Sequence, residues 1–206
     1  YSAAKSWVTV FSEGLAGVKK DNTFGYIDKT GRPVVKPQFP GAGSFHEGLA
    51  AVNVGGLLGG KWGFINKSGV FAIQPSFDLA GQFSEGLALV NMGGLVGGKW
   101  GYIDKTGAYA IEPRYAFAYR FHEGLAAFLD GSKSGFINKK GKTIMKPTYV
   151  SCGEFSEGVL AVQIDNRWGF VNRKGKIVIE PQYSQAWSYS EGLAAVRIGK
   201  KWGFIE

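Results

Sequence analysis

One phrase occurs six times along the chain: an aromatic residue, a polar residue, Glu-Gly, then a short apolar run. The copies are Phe11-Ser12-Glu13-Gly14-Leu15-Ala16, Phe45-His46-Glu47-Gly48-Leu49-Ala50, Phe83-Ser84-Glu85-Gly86-Leu87-Ala88, Phe121-His122-Glu123-Gly124-Leu125-Ala126, Phe155-Ser156-Glu157-Gly158-Val159-Leu160 and Tyr189-Ser190-Glu191-Gly192-Leu193-Ala194. Successive glutamates are 34, 38, 38, 34 and 34 residues apart. Repetition at this period means that each unit is a supersecondary structure too small to bury its own core, so stacking against neighbours must supply it. Most of the recurring residues are therefore scaffold.

A second phrase keeps step with the first: Phe24-Gly25-Tyr26-Ile27, Trp62-Gly63-Phe64-Ile65, Trp100-Gly101-Tyr102-Ile103, Ser134-Gly135-Phe136-Ile137, Trp168-Gly169-Phe170-Val171 and Trp202-Gly203-Phe204-Ile205. From each of the first five glycines to the next Glu of the first phrase the offset is always 22. From Glu to the next such Gly it is 12 in four copies, but 16 after Glu47 and after Glu85. All the length variation falls in one loop. Its two long forms are near copies, Val54-Gly55-Gly56-Leu57-Leu58-Gly59-Gly60 and Met92-Gly93-Gly94-Leu95-Val96-Gly97-Gly98. Insertions at one point of a repeat project from one face, often the binding face.

Each unit reads as strands. Leu87-Ala88-Leu89-Val90 and the run from Trp100 have β spacing and are joined by the variable loop. Asp104-Lys105-Thr106-Gly107 and its counterparts then predict a hairpin, because Asp or Asn bonds its own backbone and Gly supplies a positive φ. A third strand (Tyr109-Ala110-Ile111, Ile177-Val178-Ile179) is closed by Pro37, Pro75, Pro113, Pro147 and Pro181, since proline brings no N–H to a ladder. A fourth short strand fits between the aromatic after that proline and the next Glu-Gly, as in Phe77 to Phe83. No segment has helical periodicity.

The expected fold is all-β, with tandem repeats of about 34–38 residues in one domain, residues 1–206. Residues 1–10 form an irregular N-terminal strand and 11–206 the repeats. The reading is a six-bladed β-propeller closed by the N-terminal strand, with Trp7-Val8-Thr9-Val10 completing the last blade; the alternative is an open β-solenoid-like array. Small residues after Glu-Gly suit crowding around an axis. Joining the chain's ends would leave 28 residues between Glu191 and Glu13, six short of a period.

With Lys-Trp-Gly-Phe-Ile, Asp-Lys-x-Gly, a proline two before an aromatic and Phe-Ser-Glu-Gly-Leu-Ala in this order, residues 11–206 resemble the WG-repeat (KWG-repeat) family of mainly bacterial proteins. Phe24 and Ser134 replace the Trp in two copies, so no copy needs it for chemistry. The resemblance implies binding or scaffolding modules, often in envelope-associated or secreted proteins, with no shared catalytic site. It favours the cell envelope or exterior over the cytoplasm.

No catalytic, cofactor or metal site is expected. One Glu per repeat spreads the same group over the array instead of gathering different groups at a point; its expected role is to accept backbone N–H groups where the next strand begins. A converging ring of glutamates holding a cation is the rival view. His46 and His122 stand where other copies have Ser, and Cys152, the single cysteine, has no basic neighbour in sequence. No nucleophilic triad, metal-ligand cluster or phosphate loop is present. No apolar run is long enough for a membrane span, and residues 1–10 lack a leader-like apolar segment.

Two surfaces are candidates for a partner. The apolar loop residues Leu57, Leu58, Leu95 and Val96 cannot all be buried by their own repeats, unless the two loops pack on each other. The net charge of +8 places Lys29, Lys67, Lys105, Lys139 and Arg173 at hairpin tips, a basic band suited to an acidic protein, an acidic glycan or an anionic surface, or merely solvated turns. Nucleic acid is disfavoured because the aromatics lie at core positions rather than among these tips. The leading reading is a non-catalytic module that binds another protein. The alternative is a carbohydrate or cell-wall module using Trp62, Trp100, Trp168 and Trp202.

Overall fold

The computed structural model describes Val8 to Glu206, apart from Leu57 and Leu58. Every regular element among these residues is a strand, and the strands form six antiparallel sheets, one per repeat. The first sheet holds β1 (Leu15–Lys20), β2 (Thr23–Asp28) and β3 (Pro33–Phe39). The second is β4 (Gly41–Ala42), β5 (Leu49–Val54), β6 (Lys61–Asn66) and β7 (Phe71–Phe77); the third is β8 (Leu79–Ser84), β9 (Leu87–Met92), β10 (Lys99–Ile103) and β11 (Tyr109–Tyr115). The fourth is β12 (Phe117–Ala118), β13 (Leu125–Asp130), β14 (Lys133–Asn138) and β15 (Thr143–Tyr149). The fifth is β16 (Ser151–Cys152), β17 (Val159–Ile164), β18 (Arg167–Asn172) and β19 (Ile177–Tyr183), and the sixth is β20 (Gln185–Ala186), β21 (Ala194–Ile198) and β22 (Lys201–Ile205). The chain divides into two compact units, one ending at Arg114 and the other beginning at Tyr115.

Each Glu-Gly pair is the centre of a two-residue hairpin turn. In the first copy the N–H and C=O groups of Ser12 and Leu15 bond reciprocally at 2.9 and 3.1 Å, with φ of 51° at Glu13 and 90° at Gly14. Two consecutive positive φ values define the type I′ turn, whose twist matches that of its strands. The hairpin read from Asp-Lys-x-Gly is present too. Asp28 Oδ1 accepts the Thr30 and Arg32 N–H groups at 2.8 and 3.0 Å, and Gly31 takes φ of 83°.

Trp-Gly and the proline prove to be two sides of one crossing. A Cβ on Gly63 would lie 2.6 Å from the Ile73 carbonyl oxygen and 2.7 Å from the Pro75 nitrogen; Gly25, Gly101 and Gly169 meet the same backbone as closely. The proline therefore does not close its strand, as the sequence suggested. β7 runs two residues past Pro75 to Phe77, because it is an edge strand whose register shifts opposite Gly63 and needs no N–H there.

The N-terminal segment also departs from expectation. Instead of completing the last sheet, Val8 bridges Val18 and Thr9 N–H donates to Gly17 at 2.9 Å, adding a short strand beside β1. Val8 lies five residues before Glu13, as Ala42 lies before Glu47, so it takes the place that β4 has in the second sheet. Trp7 lies outside the described residues.

The cores lie between consecutive sheets. In the first unit, Tyr26, Val35 and Phe39 of the first sheet pack with Phe45, Val52 and Ile65 of the second, while Phe64, Ile73 and Phe77 of the second pack with Phe83, Val90 and Ile103 of the third. In the second unit, Phe136 and Met145 meet Phe155, Leu160 and Val162, and Phe170 and Tyr183 meet Ala194 and Val196. Inside each unit the aromatic before Glu-Gly, namely Phe45, Phe83, Phe155 or Tyr189, is thus a plug for the preceding sheet. Tyr26–Phe45, Phe64–Phe83, Phe136–Phe155 and Phe170–Tyr189 stack edge to face with centroids 4.8, 5.0, 5.5 and 5.3 Å apart, a geometry that adds about 0.5–1.5 kcal/mol beyond area burial.

The crossing yields a sharp prediction. Gly63→Ala should cost about 1–3 kcal/mol, since the clash is with backbone that cannot swing away. Gly203→Ala, with nothing within 4 Å of the added atom, should stay within about 0.5 kcal/mol. Urea unfolding of the two variants checks this, and equal losses would refute it.

Candidate functional site

The period breaks at two neighbouring loops of the first unit. Where β1–β2 and β17–β18 are joined by two residues at positive φ, Asp21-Asn22 and Asp165-Asn166, the β5–β6 and β9–β10 connections insert Gly55–Gly60 and Gly93–Gly98. The glycines define these loops. Gly60 N–H donates to the Gly56 carbonyl at 2.9 Å, and a Cβ on Gly60 or Gly98 would fall 2.1 Å from a backbone oxygen. In the second loop Leu95 and Val96 are 85% and 94% exposed. The described residues of the first loop do not cover them. Leu57 and Leu58 lie outside the described residues.

Asp78 ties the loops together. It lies between β7 and β8, its Oδ1 2.5 Å from Lys61 Nζ at the end of the first loop and its Oδ2 accepting the Gly93 N–H at 2.7 Å at the start of the second. The Lys61 bond and then the Gly93 N–H hold its carboxyl below the usual range. Sequence reasoning missed Asp78. The available signal was that Pro40, Ala116, Val150 and Ser184 occupy the same place in the other copies, leaving Asp78 as the one charge. At the loop bases, Asn53 and Asn91 are buried, and Asn53 Nδ2 and Oδ1 and Asn91 Oδ1 find no partner among the described residues.

The basic tips are less free than the sequence suggested. Lys67 lies 3.1 Å from Glu13, Lys105 3.1 Å from Glu47, and Arg173 2.7 Å from Glu123. Lys139 is also engaged, whereas Lys29 is exposed. Each of these glutamates reaches forward into the next repeat: Glu13 accepts the Gly48 N–H at 3.0 Å, Glu47 the Gly86 N–H at 3.1 Å, Glu123 the Glu157 and Gly158 N–H groups at 2.9 and 3.1 Å. Glu157 in turn accepts the Gly192 N–H at 3.1 Å. The glutamates do accept backbone N–H groups, but from the following Glu-Gly turn and not from their own strand. For Glu13 and Glu47 partial burial pushes the carboxyl up and is outweighed by these bonds and the lysine; for Glu123 the Arg173 bond leads. All three lie below the ordinary range.

The other candidates are structural or isolated. Burial pushes the Cys152 thiol up, against a Ser134 hydrogen bond. Among the described residues no three His, Cys, Asp or Glu side chains converge as a metal site would require, and no helix is long and apolar enough to cross a membrane. Trp62, Trp100 and Trp168 are half-buried, Trp62 and Trp168 against the cores between sheets. Trp202 is 49% exposed and stacks edge to face with Trp187, 6.0 Å away and 67% exposed.

The sequence that builds these sheets and linked turns matches the WG containing repeat in six copies, at residues 6–23, 24–57, 62–95, 100–133, 135–168 and 168–202. The chain belongs to the WG-repeat family. Among solved structures it is similar to Hsv2 from Kluyveromyces lactis, with a TM-score of 0.53 at 11% identity over 93% of this chain and 71% of that one. A form of that protein with loop 6CD replaced by a Gly-Ser linker gives 0.54 at 10% identity, over 92% of this chain and 74% of that one. The likeness shows a β-propeller-like fold for this WG-repeat chain. No curated protein matches it in sequence.

Two outcomes follow for the linked turns and loops. Glutamates held below their unfolded value contribute stability that is complete above about pH 4.3 and is lost as pH falls through the lowered folded values. Thermal unfolding should therefore show a steeper acid loss for the native chain than for Glu47→Ala, which should itself cost about 1–2 kcal/mol at neutral pH. Asp78→Ala should speed amide hydrogen exchange at Gly93 while leaving Gly48 unchanged; equal rates at Gly93 in both proteins would count against the brace.

Proposed function

We propose that this WG-repeat chain is a non-catalytic interaction module that docks another protein through the tip of its second inserted loop. The observation that carries this reading is the outward display of Leu95 and Val96 on a glycine-defined loop that Asp78 braces. Large apolar side chains held in water on an ordered turn favour a partner that removes them from it. A preorganised loop also loses little conformational entropy on binding. Exposed Met92 extends the same apolar surface. The partner assembly is bacterial and envelope-associated or secreted, in keeping with the settings in which such repeats occur.

Carbohydrate binding is a second reading, favoured by one observation: the exposed Trp187–Trp202 pair. Rings of this kind can stack on the apolar face of a sugar. The half-buried Trp62, Trp100 and Trp168 do not support it.

Leu95→Asp with Val96→Asp should abolish capture of a stoichiometric protein from an extract of the source organism, identified by mass spectrometry, with an unchanged melting temperature. Unaltered capture would refute the loop, and quenching of Trp fluorescence by cell-wall oligosaccharides, lost in Trp187→Ala, would move the assignment to the second reading.

A further inference from the structure

The hairpin tips that open on Asp28, Asn66, Asp104, Asn138 and Asn172 share one geometry. In each, the opening side-chain oxygen accepts the N–H groups two and four residues on, at 2.8 and 3.0 Å for Asp28 and 3.0 and 3.1 Å for Asn172. The second residue is always a cation, and Lys67, Lys105 and Arg173 each meet the glutamate of the preceding repeat. The third and fifth residues are exposed in every one of these tips. The turn uses their side chains only where a hydroxyl stands third: Thr30, Ser68 and Thr106 bond the opening oxygen at 2.6, 2.7 and 2.6 Å.

The second unit fills those exposed positions differently. In the first unit they hold Thr30, Arg32, Ser68, Val70, Thr106 and Ala108, and two of the tips open on an acid, Asp28 or Asp104. In the second unit they are Lys140, Lys142, Lys174 and Lys176, and both tips open on neutral asparagine. A lysine in the third position forgoes the hydroxyl bond, so the turn itself does not account for it. A Cβ on Gly175 would lie 3.1 Å from Met145, which places the fifth sheet's tip on β15, the strand that starts at the fourth sheet's tip. Lys146, exposed beside Met145, continues the charge between them. None of these five lysines has a carboxylate partner among the described residues.

We propose that the two hairpin tips of the second unit bind an acidic segment of another polypeptide, with Lys140, Lys142, Lys146, Lys174 and Lys176 meeting its Asp and Glu side chains. Carboxylate recognition is already built into such a tip: Arg173 holds the Glu123 carboxylate at 2.7 Å. Lysines two residues apart on two neighbouring turns suit a string of carboxylates rather than one. Residues 138–142 and 172–176 include no aromatic on which a sugar or a base would stack, and no apolar side chain that would enter a lipid surface. This surface lies on the other unit from Leu95 and Val96, and it stands whether or not that loop docks a protein.

Fluorescence anisotropy of a labelled oligoglutamate peptide tests the idea in 0.1 M salt, where charges beyond about 10 Å are largely screened and overall net charge counts little. The native chain should bind the peptide saturably, and Lys140→Glu with Lys174→Glu should weaken binding at least about tenfold. Lys142→Gln with Lys176→Gln, which leaves every turn bond in place, should weaken it at least about threefold. The same reversal in the first unit, Lys29→Glu with Lys36→Glu, should change it less than about twofold. Three results overturn the proposal: no saturable binding by the native chain, equal losses from the reversals in the two units, or tighter binding of oligogalacturonate, single-stranded DNA or phosphatidylglycerol vesicles than of the peptide.

Discussion

The glutamate of each Glu-Gly turn occupies a backbone region that glutamate normally avoids, with φ between 48° and 55° in all six copies. Asn or Gly would hold this type I′ position with less strain, and a non-glycine residue there costs on the order of 1 kcal/mol or more. The side chain offsets that cost. From this position the carboxylates of Glu13, Glu47 and Glu123 span to the N–H groups of the next turn and to the cation of the next hairpin tip, bonds that a shorter side chain would not reach. Charge-assisted hydrogen bonds of this kind are stronger than neutral ones, so each link locks one sheet to its neighbour in a single register.

That link explains where the repeat accepts changes in length. Between Trp-Gly and the following Glu-Gly the chain makes a hairpin, crosses the glycine at the proline, enters the next sheet and turns. Every one of those steps is fixed by a partner. The loop between the second and third strands of a sheet lies outside those steps, so four extra residues enter after Val54 and after Met92, where Asp78 braces them, without disturbing the array.

Legibility in the sequence followed the range of the interaction. Contacts within a few residues were readable: the Asp28 turn, the positive φ of Gly31 and the strands all follow from local spacing. Contacts between strands and between repeats were not. Lys67 looked like part of a free basic band because nothing in its neighbourhood shows that Glu13 lies beside it. The proline looked like a terminator because its compensation, the bare Cα of Gly63, belongs to another strand. Val8 resembled a spare strand for the last sheet because the offset it shares with Ala42 has meaning only once β4 is known to pair with β5. Asp78 went unnoticed since a single acid at a strand junction becomes informative only when both loops it touches are in place.

A repeat that bonds to its own neighbour uses up the groups it repeats. The glutamates, three of the basic tips and the aromatics before Glu-Gly are occupied in holding sheets together wherever a neighbour is present, so their recurrence marks assembly rather than recognition. A residue free to meet something else must therefore lie off the period, as Leu95, Val96 and Trp187 do, because such a residue has no complement within the repeat and so looks outward to a different molecule.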